Sequence, residues 1–187
     1  MTRREHTGTI GAAKPSQRCA VESIRQAVEA VSEHLARNPE AGVGPDTTAV
    51  AVREHGLRFR VQGPDGEVVA DMGESVGGGG TAPTPGWFLR AALAACDASV
   101  VAIEAAREGI DLTALRVTVD SESDSRGVLG LDDSIPAGPL AVRVRIELAA
   151  SNATPDRLRE LARRVESRSA VGDALARAVS VATEIVT

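Results

Sequence analysis

The stretch that decides the fold is residues 84–109, which read TPGWFLRAALAACDASVVAIEAAREG. Thr84 is a good N-cap residue, and Pro85 suits the first position of a helix. The residues that follow are apolar nearly all the way round a helix, and Gly109 provides a natural end. The pattern therefore predicts a long helix, rich in alanine, that is buried in the middle of the structure.

Alternating apolar and polar residues predict strands on both sides of this helix. The predicted strands cover residues 47–53, 57–62, 67–71, 115–119, 140–148 and 178–186. Their hairpin-like spacing favours antiparallel pairing, so the chain is expected to have an α+β fold. Thr154-Pro155 repeats the cap pattern of a helix, and Ser169 is expected to begin a short helix that reaches about Arg177.

Residues 1–46 are predicted to be an appendage to a main domain that covers residues 47–187. A polar arm over residues 1–15 is followed by a helix that Asn38-Pro39 ends. The apolar residues of this helix recur at steps of three and four, on one stripe: Val21, Ile24, Val28, Val31 and Leu35. Because an isolated helix cannot bury such a stripe, it must pack on the main domain or on a partner chain.

Composition excludes several classes of protein. Hydrophobic residues make up 43% and charged residues 25% of the 187 residues, the balance of a globular protein. The net charge of −5 and the presence of only two Phe, one Trp and no Tyr argue against nucleic-acid binding. No apolar run is expected to span a membrane, and no secretory signal is recognised, so a cytoplasmic location is expected.

No metal or cofactor is expected. The four glycines at 77–80 suggest a phosphate-binding loop, but no Lys-Ser or Lys-Thr pair follows them, so they are interpreted as a flexible lead-in to the helix. Two cysteines and three histidines are too few for a cysteine-rich metal site, and the spacing of Cys19 and Cys96 fits neither zinc binding nor a redox pair.

Local sequence alone favours a structural role for Cys96. A thiol reacts as the thiolate, which needs a nearby cation, base or helix N-terminus. One helical turn away on either side lie Ala92, Leu93, Ser99 and Val100, none of which is a cation or a base. Cys19 lies beside Arg18 and one turn before Glu22, so the charges around it roughly cancel.

Residues 78–96, GGGTAPTPGWFLRAALAAC, resemble the signature of the OsmC/Ohr family of osmotically inducible and organic hydroperoxide resistance proteins. In that family, a glycine-rich loop and a proline lead into a long alanine-rich helix that ends in Ala-Ala-Cys. The resemblance continues through residues 109–112 and 115–119. Residues 169–175, SAVGDAL, resemble the second motif of the family. The family resemblance as a whole covers about residues 47–187.

This resemblance implies an intertwined homodimer in which antiparallel sheets wrap around long buried central helices. It also implies two thiols that reduce organic hydroperoxides, one by attacking the peroxide and one by resolving the sulfenic acid. Cys96 corresponds to the attacking thiol, and Arg53 to an arginine that activates it. Ser169 stands where the family has its second cysteine, and Gly86 stands where the peroxidase members have an acid.

Two functions follow from these differences. The first is a dimeric OsmC-like binding or stress-related module without two-cysteine peroxidase chemistry, with an apolar cleft beside Cys96, at the dimer interface, for a small apolar ligand. The alternative is a one-cysteine hydroperoxide reductase that uses Cys96 with a peroxide ligand and an external reductant, or with Cys19 as an unusual resolving thiol. In both, the expected partner is a second copy of the chain, with no nucleic acid and no membrane.

Overall fold

The computed structural model describes residues 17–177 and 179–187, which form six helices and five strands. Helices and antiparallel strands occur together, and in chain order a long helix separates two small sheets. The predicted α+β class is confirmed.

The first sheet precedes the long helix and has three strands, each antiparallel to the next. They are β1 (Val50–His55), β2 (Arg58–Gly63) and β3 (Gly66–Ala70). The turn between β2 and β3 closes with Gly63 opposite Gly66, and the φ angle of Gly66 is 148°. A side chain is strained at that angle, so glycine suits this tight turn. The three strands predicted here are confirmed.

The first long helix, α1 (Gln17–Arg37), packs against the central helix, α2 (Pro85–Arg107). Four members of the predicted stripe are half-buried, while Val31 is 57% exposed. Arg107 also donates a hydrogen bond from Nη2 to Ser32 Oγ over 3.4 Å. The stripe therefore covers part of the main domain, as expected, whereas the predicted arm over 1–15 lies outside the described residues.

Helix α2 begins and ends as predicted, but only one side of it is covered. Thr84 Oγ1 accepts a hydrogen bond from the backbone N–H of Trp87 at 3.2 Å. The buried side chains lie mainly on one face, and among them Val101 is fully buried. On the other face Ala92 and Ala95 are exposed, and Trp87 is 48% exposed. In one chain, therefore, the prediction that α2 is buried in the middle of the structure is correct for one face of the helix.

The second sheet follows α2 and has two strands, β4 (Leu112–Glu122) and β5 (Ala141–Ala150). They pair antiparallel, with Val117 opposite Ile146. The connection between them contains the short helix α3 (Ser125–Val128). This sheet packs on α2 through β4.

Three short helices complete the described fold: α4 (Pro155–Arg163), α5 (Val165–Arg168) and α6 (Ala170–Ala176). Thr154 and Ser169 cap α4 and α6 by accepting backbone N–H groups at 3.3 and 3.1 Å, as predicted. The core lies where these helices, α2 and the second sheet meet. Its buried members are Val101, Ala105, Ile110, Leu158, Leu161 and Val165.

The predicted final strand is wrong for the described part of the chain. Ala178 lies outside the described residues, and residues 179–187 contain no strand. Val181, Ile185 and Val186 are each more than four-fifths exposed, at 85%, 83% and 86%. A strand needs a neighbouring strand for its backbone N–H and C=O groups, and this single chain does not provide one here.

By length and composition, α2 could cross a membrane, contrary to the expectation that no segment could. The core helix of a globular protein passes the same test. Here α2 packs on α1 and β4, and it contains the buried carboxylates Asp97 and Glu104. These features are typical of a core helix.

Candidate functional site

The structure brings Cys96 and Ser169 together. Cys96 lies on α2 and is partly exposed, whereas Ser169 precedes α6 and is 2% exposed. Ser169 Oγ donates a hydrogen bond to Cys96 Sγ over 3.4 Å and accepts one from the backbone N–H of Gly172 at 3.1 Å. The Ser169 hydroxyl therefore lies within hydrogen-bond distance of the Cys96 sulfur.

The close packing at this contact depends on glycine. A Cβ atom added at Gly172 would lie 3.0 Å from Ser169 Oγ and 3.1 Å from its Cβ, closer than most Cβ contacts. Gly172 thus leaves room for the serine hydroxyl to cap α6 while it faces the sulfur. The predicted role of Ser169 as a helix cap is confirmed, and the same hydroxyl contacts Cys96.

Arg53 lies on β1, in the first hairpin. Its Nε donates a hydrogen bond to Gly56 O at 2.9 Å, within the same hairpin. No hydrogen bond or ion pair between the described residues joins Arg53 to Cys96. Activation of the thiol by Arg53 therefore stays a prediction.

Gly86 lies in the first turn of α2, where an acid would be expected in a peroxidase. A Cβ atom at Gly86 would have Arg90 Nη1 as its nearest neighbour, at 3.9 Å, so a side chain would fit. Arg90 donates instead to Ser121 Oγ on β4, at 3.1 Å, and forms no ion pair among the described residues. Space does not forbid the acid at position 86.

Asp97 is a site residue that the sequence analysis missed. It is 3% exposed, and its buried Oδ1 has no hydrogen-bond partner among the described residues. Together with Ser169 it lines a cleft of about 580 Å³ between α2, β5 and helices α4 to α6. The signal was available, because Asp97 is the one charged residue in the run from 91 to 103.

The glycine-rich loop is anchored rather than a loose lead-in. Asp71, 2% exposed, accepts hydrogen bonds from the backbone N–H groups of Met72, Gly79 and Thr81 and from the Thr81 hydroxyl. The backbone bond from Thr81, followed by the hydroxyl bond, lowers the pKa of Asp71 to about 2. At Gly78 an added Cβ would overlap the backbone of Met72, so the loop passes close to the end of β3.

Glu104 is a second buried carboxylate of α2, and it has partners. It is 2% exposed and forms ion pairs with Arg107 at 3.0 Å, with Arg164 at 3.3 Å and with Arg168. Burial acts to raise the pKa of Glu104, but hydrogen bonds from Arg168 and Arg164 outweigh burial and lower it. This network joins α2 to α4 and α5.

Among the described residues, no group of three or more His, Cys, Asp or Glu side chains is placed to hold a metal ion. The side chain of Cys19 lies outside the described residues, so its role as a resolving thiol stays a prediction.

Comparison with solved structures shows the same fold in other proteins. An OsmC-like protein from Mycoplasma pneumoniae is 15% identical, with a TM-score of 0.61 over 73% of this chain and 91% of that one. An organic hydroperoxide resistance protein OsmC from Legionella pneumophila is 19% identical, with a TM-score of 0.53 over 71% and 90%. An OsmC-like protein of unknown function from Vibrio cholerae is 11% identical, with a TM-score of 0.59 over 70% and 94%.

Comparison of sequences gives the same family. A search of curated proteins found no significant match. The family model described as OsmC-like protein matches residues 77–184, which is more than half of the chain and includes both Cys96 and Ser169. The chain therefore belongs to the OsmC-like protein family.

Proposed function

We propose that this chain is a homodimeric OsmC-like protein that binds a small apolar ligand and lacks two-cysteine hydroperoxide chemistry. The observation that carries the proposal is the contact between Ser169 Oγ and Cys96 Sγ at 3.4 Å. It supports a site that keeps the geometry of a two-residue redox centre with a hydroxyl in place of the second thiol.

The chemistry explains why this difference matters. In a two-cysteine reduction, a thiolate attacks the terminal peroxide oxygen, the O–O bond breaks, and an alcohol leaves with formation of a sulfenic acid. A second thiol then attacks the sulfenic sulfur, releasing water and forming a disulfide. A hydroxyl at position 169 cannot form that S–S bond, so the sulfenic acid would have to wait for an external thiol.

A second candidate is a one-cysteine hydroperoxide reductase that uses Cys96. It is favoured by the partial exposure of Cys96 and by the hydroxyl that donates to its sulfur, since a hydrogen-bond donor stabilises a thiolate. The missing acid at Gly86 and the hydrogen bond of Arg53 within its own hairpin weigh against it.

The homodimer is proposed on the exposed apolar surface of one chain. The uncovered face of α2 exposes Trp87, Ala92 and Ala95, and the terminal segment 179–187 exposes Val181, Ile185 and Val186; such apolar surfaces are usually covered in an assembly. A cytoplasmic location is part of the same proposal, because a partly exposed free thiol such as Cys96 persists in a reducing compartment.

The experiment is hydroperoxide turnover. Cumene hydroperoxide consumption is measured with dithiothreitol and with dihydrolipoamide as reductants, for the wild-type protein and for Cys96→Ser. We expect no turnover by the wild-type protein above that of Cys96→Ser. Turnover that Cys96→Ser abolishes would overturn the proposal in favour of the one-cysteine reductase.

A further inference from the structure

The cleft lined by Asp97 and Ser169 has the dimensions and the lining of a small-molecule site. Its volume of about 580 Å³ lies within the range of ligand pockets. Its walls are mainly apolar side chains from α2, β5, α5 and α6. They include Leu93, Val142, Val144, Ile146, Val165 and Leu175.

The polar groups of the cleft all carry either negative charge or no charge. Asp97 lies on the α2 wall and Glu166, which is exposed, lies on α5. The Ser169 hydroxyl is already engaged, since it donates to Cys96 and accepts from Gly172. None of the described residues that line the cleft is a lysine, arginine or histidine.

Asp97 differs from Glu104, two turns further along α2, in what the fold provides for it. Both carboxylates are nearly inaccessible, but Glu104 has three arginine partners, while Asp97 forms no ion pair among the described residues. Its Oδ1 is buried without a hydrogen bond. An unpaired buried carboxylate is costly, and a cationic or N–H donor removes that cost.

We propose that this cleft binds a small amphiphilic amine, whose ammonium group donates to Asp97 and whose hydrocarbon body lies along β5 and α6. The inference rests on the proposed binding function and names its ligand class. Charge complementarity selects the head group, because both carboxylates of the cleft attract a cation and would repel a carboxylate ligand. The apolar walls select the body of the ligand.

The test compares three probes with the same chain and different head groups: decylamine, decanol and decanoate. Calorimetric titration of the full-length wild-type protein should give decylamine an affinity about tenfold higher than decanol, as expected for a hydrogen bond to a buried charge. Decanoate should bind more weakly than either. Equal affinities for the three probes, or no binding of any of them, would overturn the inference. This test needs the wild-type protein alone.

Two matched variants separate this contact from general attraction of cations to an acidic protein. Asp97→Asn and Glu166→Gln remove the same charge, one inside the cleft and one at its exposed rim. Asp97→Asn should lower decylamine affinity about tenfold, to that of decanol, and Glu166→Gln should lower it less than about fivefold. Equal losses in the two variants would contradict a specific role of Asp97.

The outcomes distinguish this inference from the proposed function. Hydroperoxide turnover that depends on Cys96 would overturn the proposed function, whichever probe binds best. Decanol binding as tight as decylamine binding, with no turnover, would overturn the amine assignment and leave the binding function. Occupation of the cleft by the terminal segment or by a second copy would appear as no binding of any probe, and would overturn the inference.

Discussion

At the scale of single residues, the described part of the chain contains three buried carboxylates with different surroundings. Asp71 is surrounded by N–H and O–H donors, Glu104 by arginines, and Asp97 by apolar walls. Asp71 holds the glycine-rich loop against the end of β3, and Glu104 joins α2 to the residues of α4 and α5 about 60 positions further along the chain. Asp97 forms no ion pair among the described residues, and its Oδ1 is buried without a hydrogen bond, so the proposed ammonium group would be its partner.

Replacing Asp71 by Asn should lower stability in a manner that depends on pH. Because the pKa of Asp71 is lowered to about 2 from 3.8, its ionised form contributes stability above pH 4, and this contribution is lost as the pH falls through 2. Urea unfolding should therefore show a lower midpoint for Asp71→Asn at pH 7, and the difference from wild type should shrink between pH 4 and 2.

Thr81→Val is the matched control for that series. It removes the hydroxyl that donates to Asp71 and keeps the backbone bond, which is the larger cause of the lowered pKa. Its effect on the urea midpoint should be smaller than that of Asp71→Asn. If the difference in urea midpoint between Asp71→Asn and the wild-type protein did not depend on pH, the charge of the Asp71 carboxylate would not be what holds the loop.

Much of the residue-scale chemistry could be predicted from sequence, but not all of it. The caps formed by Thr84, Thr154 and Ser169 follow from residue type and position, because a cap satisfies N–H groups two or three residues away. The pairing of Glu104 and the isolation of Asp97 depend on which side chains α4 and α5 bring to α2. Sequence spacing alone does not contain that information.

At the scale of elements, α1 packs against α2. Ala20, Val21 and Ile24 line one side of a cleft of about 320 Å³, and Ala102, Ala105 and Ile110 also line it. The strands and helices with strong local patterns were predicted correctly. The strand predicted over 178–186 was not found, because alternation indicates what a segment can pair with and not whether a neighbour is present.

Two alanine variants in α1 should differ in how much they lower the stability of the protein. Ile24 is half-buried and Val31 is 57% exposed, so Ile24→Ala should cost about 2 kcal/mol of unfolding free energy and Val31→Ala less than about 0.5 kcal/mol.

Deletion of residues 1–40 should lower the Tm by roughly 5 °C or more. An unchanged Tm after the deletion would show that α1 does not stabilise the domain.

At the scale of the whole molecule, one chain leaves apolar surface exposed on α2 and on residues 179–187. In the proposed homodimer, a second copy would cover the exposed face of α2 and the segment 179–187. The long helix was predicted to be buried on all sides, and the structure of one chain covers one side. Burial of the remaining side of α2 between two copies of the chain would account for this difference.

The assembly is tested by sedimentation. We expect the full-length protein to sediment as a dimer at micromolar concentration. Ala95→Arg, on the exposed face of α2, should lower the dimer fraction, while Val128→Arg, which is exposed on α3, should not. A folded wild-type monomer at that concentration would contradict the proposed homodimer.

The central claim is that Ser169 occupies the position of a second thiol, and peptide mapping of Ser169→Cys tests it most directly. After mild oxidation with diamide, digestion under non-reducing conditions should yield a peptide that joins Cys96 to the new thiol, because the wild-type Oγ and Sγ atoms are 3.4 Å apart. The wild-type protein should yield no intramolecular disulfide. A linkage of Cys96 to Cys19 in the wild type, or no linkage in Ser169→Cys, would contradict the account.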